Sequence, residues 1–243
     1  MKTFNDDPAL KELLLKETIA HREADELVRG TYNETDSETF KGCAVGCAVD
    51  TLNRKLGKDY NNGDHEALET EGWYPAWLAY LQDTFFENVT EYKTWPERFV
   101  AAIPAGVEFE TLERVKWQFL SYLMDENIAR VEKLDIDADL KKQVLDAIKG
   151  TQKVADDALN TGVWNKGAAS AARNAAIEVS VVWGAASATN AVWGAVSAES
   201  AASAANAASA AESAARGAEI SAETSAYDKH SEKLLELLEA SEK

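Results

Sequence analysis

The sequence is poor in residues that interrupt regular structure and in residues that cross-link it. It has 4 Pro and 13 Gly in 243 residues, too few for a β-rich protein with many tight turns. Its 2 Cys exclude the disulfide framework of a small secreted domain. No run approaches the roughly 18 apolar residues that a membrane span needs, and the first residues lack the apolar segment of a secretory leader. We therefore expect a helical protein of the cytoplasm with no membrane partner.

Positive charge is also scarce. Lys and Arg number 25 against 42 Asp and Glu, which gives a formal net charge of −17. Such a chain does not supply the cations that neutralise phosphates, so we expect no direct binding of nucleic acid. A basic protein partner fits the charge better, because opposite net charges steer association. Hydrophobic residues make up 46% of the chain, enough to build a core.

Start and stop signals divide the first part of the chain into helices. Asp7 followed by Pro8 is a typical helix start, and Gly30 is a typical stop. Thr94 and Glu97 have the spacing of a capping box. The signals predict helices over about 7–29, 37–56 (closed by Gly57), 74–87, 94–103, 111–133 and 137–149 (closed by Gly150).

The composition changes near Gly150, after which Ala dominates. A Val-Trp pair followed by small residues occurs at Trp164 and recurs at Trp183 and Trp193. Ala is the strongest helix former, and its small side chain lets neighbouring helices approach closely. We therefore predict an all-α protein in two regions that form one continuous globule. An irregular helical bundle spans residues 1–150 and packs against Ala-rich helices in residues 151–243.

His21 is the first candidate functional residue. It lies four residues after Glu17 and four before Asp25, and these spacings bring side chains together on one face of a helix. An acidic neighbour can orient an imidazole and raise its basicity. His21 and Asp25 are therefore candidates for ligand binding. The alternative is a histidine at the edge of the core whose hydrogen bond Asp25 satisfies.

Cys43 and Cys47 lie four residues apart on the second predicted helix, each preceded by a glycine, Gly42 and Gly46. A glycine inside a helix costs about 1 kcal/mol relative to Ala, so the two glycines indicate close approach of another backbone or of a ligand. We count all four as candidate ligand-binding residues. The thiols themselves are open to three interpretations: small buried hydrophobic groups, a reactive thiol or part of a metal site.

A metal site would need ligands beyond the two cysteines. His21 and His65 are the available imidazoles, so the predicted set for a transition metal such as zinc is His21, Cys43, Cys47 and His65. Their Cys-x3-Cys spacing differs from the usual Cys-x2-Cys of zinc sites.

Acidic residues form the last candidate cluster. Asp64 and His65 begin an acidic run over 64–71, which either supplies ligands or forms a solvated loop. Asp83 and Glu87 lie four residues apart, the spacing at which carboxylates on successive helical turns work as a pair. We add both to the candidate ligand-binding residues.

Several segments of the chain resemble a family of bacterial and phage proteins to which no activity is assigned. The resemblance rests on residues 21–25 (HREAD), 41–47 (KGCAVGC), 74–87 (YPAWLAYLQDTFFE) and 95–99 (WPERF), and on the Ala- and Trp-rich tail. In that family a histidine often follows the second cysteine closely, whereas Ala48 and Val49 follow it here. The tail is also similar to helical repeats of immunity proteins from bacterial toxin systems. The resemblance implies an accessory role in phage–host or toxin conflict.

Three functions are open on these observations. No nucleotide-binding or hydrolase motif occurs, which favours a non-enzymatic binding protein, of inhibitor or immunity type, acting on a basic partner. An inhibitor that mimics DNA is a variant of this hypothesis. The second is a metal- or thiol-dependent site, in an enzyme or a small-ligand binder, built on His21, Asp25, Cys43, Cys47 and His65. The third is a structural phage component that assembles through its Ala-rich helices.

Overall fold

The computed structural model describes residues 1–32, 40–171 and 220–241. Within these ranges the chain is all-α, as predicted, and its extended pairings are two isolated bridges, Lys2 with Glu108 and Leu27 with Gly42. The helices are α1 (Pro8–Glu23), α2 (Ala44–Leu56), α3 (His65–Thr70), α4 (Ala76–Asn88), α5 (Trp95–Ala102), α6 (Phe109–Lys133), α7 (Ala138–Thr161) and α8 (Ile220–Ala240).

The chain forms two compact units. Unit 1 comprises Met1–Leu112 together with Ser231–Lys243, and unit 2 comprises Glu113–His230. This division differs from the predicted boundary at Gly150, which lies inside α7.

Helix α1 starts as predicted but ends early. The side chain of Asp7 caps it by accepting a hydrogen bond from the Ala9 N–H. The predicted end at Gly30 is wrong, because the helix stops at Glu23 and Asp25 takes a left-handed φ of 56°. The residues after this turn are held by backbone hydrogen bonds to Gly42, so tertiary pairing overrides the helical pattern of the sequence.

The same pairing shortens α2 at its beginning. Residues 37–39 lie outside the described part of the chain, and residues 40–43 are not helical, contrary to the prediction. The Gly42 N–H donates to Glu26 O at 3.0 Å, and Gly42 O accepts from the Val28 N–H at 2.9 Å. Cys43 then becomes the N-cap of α2, with its Sγ accepting from the Gly46 N–H at 3.4 Å. Gly57 closes the helix in the left-handed conformation, as predicted.

Aromatic side chains build the core of unit 1. The Trp95 ring stacks on Phe99 at 5.1 Å and meets Phe85 at 5.6 Å, measured between ring centroids. Trp73 and Trp77 are also buried, so these tryptophans serve packing rather than an exposed binding surface. The Phe4 N–H donates to Trp73 O at 2.8 Å and ties the N-terminal segment to this core. In unit 1, α1 packs on α2 and α5, and α4 packs on α2, α3 and α5.

The Thr94 side chain makes no capping hydrogen bond to α5, so the predicted capping box does not form. The Glu97 carboxylate instead accepts a hydrogen bond from Arg22. An ion pair to a residue distant in the sequence has replaced the local contact that the capping box predicts.

Unit 2 contains two long segments that run antiparallel, most of α6 and the whole of α7. Ser121 donates to Asp156 at 2.7 Å, and Gln152 donates to Asp125 at 2.6 Å. The predicted end of α7 at Gly150 is wrong, because the helix continues to Thr161 and Gly162 caps it in the left-handed conformation. The apolar stripe continues past Gly150, and this burial outweighs the cost of one helical glycine. Its buried members beyond residue 150 are Thr151, Val154, Ala155 and Ala158.

Most of the Ala-rich tail lies outside the described residues, including the Val-Trp repeats at Trp183 and Trp193 and the predicted packing of the tail helices. The first repeat is described: Trp164 precedes helical residues 166–171.

Candidate functional site

A pocket in unit 1 collects three of the predicted residues. Cys43, Asp83 and Glu87 line a cavity of about 320 Å³. Asp83 and Glu87 lie on successive turns of α4, and Cys43 is the N-cap of α2. We call this cavity the acidic pocket, and its lining residues are Gly30, Thr31, Tyr32, Cys43, Asp83 and Glu87.

Hydrogen bonds fix the loop that forms one side of the acidic pocket. Arg29 donates to Phe86 O at 2.9 Å and to Val89 O, both at the end of α4. The Gly30 N–H donates to both Glu87 carboxylate oxygens, at 2.9 and 3.0 Å. Thr31 O accepts from the Cys43 N–H at 2.6 Å. The loop is therefore tied to α4 and to the start of α2.

Two glycines let this loop approach α2. A Cβ atom on Gly42 would lie 2.3 Å from Tyr32 O, and one on Gly46 would lie 2.2 Å from the same oxygen. Both distances are far shorter than a van der Waals contact. The predicted close approach of another backbone is therefore confirmed, and the approaching group is the carbonyl of Tyr32.

Asp83 is the best-held acidic group of the pocket. The Tyr32 hydroxyl donates to its Oδ2 at 2.8 Å, and His65 Nε2 lies 3.4 Å from the same oxygen. Burial acts to raise the pKa of Asp83, but the contacts with His65 and Tyr32 outweigh it, so the pKa lies below its ordinary value. Asp83 is therefore a carboxylate at neutral pH.

Glu87 has the opposite electrostatic environment. Burial raises the pKa of Glu87 above its ordinary value, and the nearby negative charge of Asp83 raises it further. The hydrogen bond from the Gly30 N–H only partly offsets these two effects. One pocket thus holds two carboxyl groups whose pKa values shift in opposite directions.

His65 lies behind Asp83 rather than in a solvated loop. Asp64 caps the short helix α3 by accepting from the N–H groups of Glu66 and Ala67, which replaces the predicted acidic loop at this point. The His65 ring stacks on Tyr80 at 4.1 Å and is 5% exposed. Its Nδ1 donates to Gly63 O at 2.9 Å, so Nδ1 carries a proton. Nε2 faces Asp83 without a hydrogen bond.

Both thiols are buried. Burial raises the pKa of Cys43 and of Cys47, and nearby negative groups raise both further. Since the thiolate is the nucleophile and the thiol is not, this environment suits small packing groups better than a reactive thiol. Cys43 lines the acidic pocket, whereas Cys47 is not among the lining residues.

His21 and Asp25 do not pair as predicted. His21 Nδ1 bonds to Glu26 Oε2 at 2.7 Å, and Asp25 forms an ion pair with Lys93 at 2.5 Å. The reason is the early end of α1, because Asp25 lies in the turn after it and no longer follows the helical spacing. The His21 ring packs against Phe40, and neither His21 nor Asp25 lines the acidic pocket.

The predicted zinc ligands are not gathered into one group. Across residues 1–32, 40–171 and 220–241, no cluster of three or more His, Cys, Asp or Glu side chains could hold a metal ion. His21 faces Glu26 and His65 faces Asp83, so the two imidazoles have separate acidic partners.

Sequence reasoning missed Tyr32, Thr31 and the structural role of Glu26. The sequence predicted Gly30 as the end of a helix but not as a residue that lines the pocket. The glycines at 42 and 46 indicated that a group approaches α2, but no local pattern identifies that group as the backbone of Tyr32.

Comparison with protein-family models, curated proteins and solved structures finds no match to this chain. Among the helices of the described residues, none combines the length and the apolar character needed to cross a bilayer.

Proposed function

We propose that this chain is a non-enzymatic binding protein whose acidic pocket receives a cationic group of a basic protein partner. The observation that carries the proposal is the lining of the pocket: two carboxyl groups, Asp83 and Glu87, and no lysine or arginine among its described lining residues. A partner from phage–host or toxin conflict, as the sequence resemblance implies, and a cytoplasmic location are parts of the same proposal.

The electrostatics of the pair support a cationic occupant. The charge of Asp83 contributes to the raised pKa of Glu87, so ionising both groups together is unfavourable. A cation between two such groups reverses the sign of this interaction and favours both charges. The binding energy of the cation therefore includes relief of a repulsion already present in the free protein.

The charge of the whole chain supports a basic partner over a neutral one. A formal net charge of −17 attracts a basic protein over distances comparable to the Debye length, roughly 8–10 Å at ordinary ionic strength. Such attraction raises association rates more than it raises final affinity. A specific pocket is then needed to fix the position and orientation of the partner in the complex.

The test uses three fluorescently labelled peptides that share one Gly-Ser framework. At the same positions, the basic peptide carries Arg and Lys, the neutral peptide carries Gln, and the acidic peptide carries Glu. We expect the basic peptide to bind, with anisotropy as the readout. The double variant Asp83→Asn/Glu87→Gln should weaken its affinity at least about tenfold, the loss expected for a charge-assisted contact.

The matched control is Asp146→Asn/Asp157→Asn, which removes the same charge from two exposed positions of α7. We expect this variant to bind within about twofold of the wild type. An equal loss in both double variants would mean that binding reflects net charge alone and would overturn the proposal. Equal binding of the basic and Gln peptides would do the same.

A further inference from the structure

We infer that the cation accepted by the acidic pocket is a guanidinium, the side chain of an arginine, rather than an ammonium or a metal ion. This inference rests on the proposed function and narrows it to one ligand chemistry. It draws on the acceptor pattern of the two carboxyl groups, on the unpartnered nitrogen of His65, on the aromatic ring of Tyr32 and on the size of the cavity.

The two carboxyl groups leave acceptor positions open. The contacts of Tyr32 and His65 with Asp83 both reach Oδ2, and the Cys43 thiol also interacts with this carboxylate. A carboxylate has about four acceptor sites, so these contacts leave room for a further donor. The oxygens of Glu87 share one donor, the Gly30 N–H. Side chains four residues apart on a helix are close neighbours, so a ligand between them meets oxygens on both sides. A guanidinium presents five N–H donors in a planar fork, whereas an ammonium presents three around one point.

A buried nitrogen beside the pocket shows that the polar network is incomplete. His65 is 5% exposed, and its Nε2 lies 3.4 Å from Asp83 Oδ2 without a hydrogen bond. Buried polar atoms nearly always have a partner, and an orphaned one calls for a missing group. The unmet hydrogen-bonding capacity of Nε2 and of the carboxylate beside it therefore indicates the side of the pocket at which a further polar group binds.

Tyr32 supplies a surface that suits a planar cation. Its ring is held by the hydroxyl contact with Asp83 and by an edge contact with His65 at 5.6 Å between centroids. The residue is 40% exposed. Guanidinium groups stack on aromatic faces and are more weakly hydrated than ammonium groups, so they lose less on entering a partly buried site.

The size and the donor set of the pocket exclude other occupants. A cavity of about 320 Å³ is at the lower limit of ligand sites, which run from roughly 300 to 1,000 Å³. It accommodates a side chain but not a nucleotide cofactor. A metal ion finds no group of three or more His, Cys, Asp or Glu ligands anywhere in the described residues.

The test is an NMR titration of the ¹⁵N-labelled full chain with three compounds: Nα-acetyl-arginine amide, Nα-acetyl-lysine amide and the neutral isostere Nα-acetyl-citrulline amide. The amide signals of Gly30, Thr31 and Tyr32 report on the pocket. We expect the arginine compound to shift them with a Kd at least about tenfold lower than that of the lysine compound. The citrulline compound should cause no saturable shift.

Two variants keep the result interpretable, and their own spectra report whether they fold. Glu87→Gln retains an acceptor for the Gly30 N–H and should raise the Kd of the arginine compound at least about tenfold. Asp146→Asn removes one charge from an exposed site on α7 and should leave the Kd within about twofold. Equal affinity for the arginine and lysine compounds would overturn the guanidinium inference and leave the proposed function standing. Binding that does not respond to Glu87→Gln, or no shift with either cation, would overturn both.

Discussion

Each of the two units is stabilised internally by a different kind of contact. In unit 1, backbone groups far apart in the sequence bond to each other, as Phe4 does to Trp73 and Gly42 to Glu26. In unit 2, the long helix α7 has a buried stripe that follows from the helical periodicity of its own sequence, and its exposed ion pairs join residues four apart, such as Lys142 with Asp146. Unit 1 is therefore specified by tertiary pairing, and α7 is specified largely by its local sequence.

This contrast explains where the pocket lies. An open pocket needs backbone that departs from regular structure, since helical N–H and C=O groups are already paired. The loop carrying Gly30 and Tyr32 supplies that backbone, and contacts with α2 and α4 hold it. In a pair of packed helices such as α6 and α7, the backbone groups are already paired, and only side chains are left to bind a ligand. Substitutions that act on one kind of contact and spare the other can test the comparison.

The largest expected effect is that of Gly46→Ala in α2. Its Cβ would lie 2.2 Å from Tyr32 O, so the loop must move, and we expect a loss of about 3 kcal/mol in the free energy of unfolding of unit 1. Gly150→Ala is the matched change in α7, where nothing lies within 4 Å of the new Cβ. It should stabilise by up to about 1 kcal/mol.

Hydrogen exchange of peptides from α2 and α7, measured by mass spectrometry, resolves the two effects unit by unit. If α2 is protected from hydrogen exchange as strongly in Gly46→Ala as in the wild type, the close packing of the Tyr32 loop against this helix is contradicted.

The next effect concerns His230 in unit 2, which is fully buried with neither ring nitrogen hydrogen-bonded. Burial, with a smaller contribution from Arg130, lowers the pKa of His230 from 6.5 to about 4. The folded state thus binds the proton less tightly than the unfolded state, and stability falls as the pH falls from 6.5 to 4. The shift corresponds to about 3 kcal/mol lost between pH 7 and pH 4.

His230→Phe removes the titrating group and keeps a ring of similar size. We expect the free energy of unfolding of this variant, measured in urea, to vary about 3 kcal/mol less than that of the wild type between pH 7 and pH 4. Parallel pH curves for the two proteins would show that His230 does not contribute to acid unfolding.

A smaller effect separates the two acidic residues of the pocket. Asp83→Asn should cost about 1–2 kcal/mol at pH 7, because it weakens the hydrogen bond from Tyr32 and the contact with His65. Glu87→Gln should be neutral or stabilising by less than about 1 kcal/mol, because the ionised form of this partly exposed group is disfavoured in the fold.

The pH dependence of the two groups has opposite sign. The lowered pKa of Asp83 gives stability that is present above its ordinary value and lost as the pH falls through the folded value. The raised pKa of Glu87 gives stability that is present at low pH and lost as the pH rises through the folded value. Urea unfolding of the wild type and of both variants between pH 3 and pH 7 measures how the stability difference of each variant changes with pH. If the two differences change in the same direction, the opposite pKa shifts of Asp83 and Glu87 are refuted.

The smallest effect is expected for Asp146→Asn in α7. Both members of the Lys142–Asp146 pair are exposed, and exposed pairs contribute little. We expect the thermal midpoint to change by no more than about 1 °C, measured by circular dichroism at 222 nm. A larger drop would mean that α7 depends on its surface charges more than on its buried stripe.

Local signals in the sequence predicted the parts of the fold that depend on local physics. The cap at Asp7, the stop at Gly57 and the helix now seen as α4 were all predicted within a residue or two. The errors at Gly30 and at the start of α2 share one cause, the pairing of Glu26 and Val28 with Gly42. No helical periodicity reports a backbone pair of this kind, because it joins segments through space.

The candidate site was predicted in part for the same reason. Asp83 and Glu87 were identified because they share a helix face, which a sequence displays directly. Tyr32 was missed because its place depends on the turn after α1 and on the two glycines that admit its carbonyl. The glycines indicated a close contact, but only the folded chain identifies its partner.

Unit 1 is built from two separate segments of the chain, and this has a consequence for synthesis on the ribosome. This unit takes its last residues, Ser231–Lys243, from the end of the chain, after all of unit 2. Arg98 forms two hydrogen bonds with Glu232 inside the unit, at 2.6 and 2.5 Å. Domains usually fold in the order in which they emerge, but unit 1 emerges first and is completed last. Unit 1 therefore stays incomplete on the ribosome until Ser231–Lys243 have been synthesised, and this requires that all of unit 2 has been synthesised first.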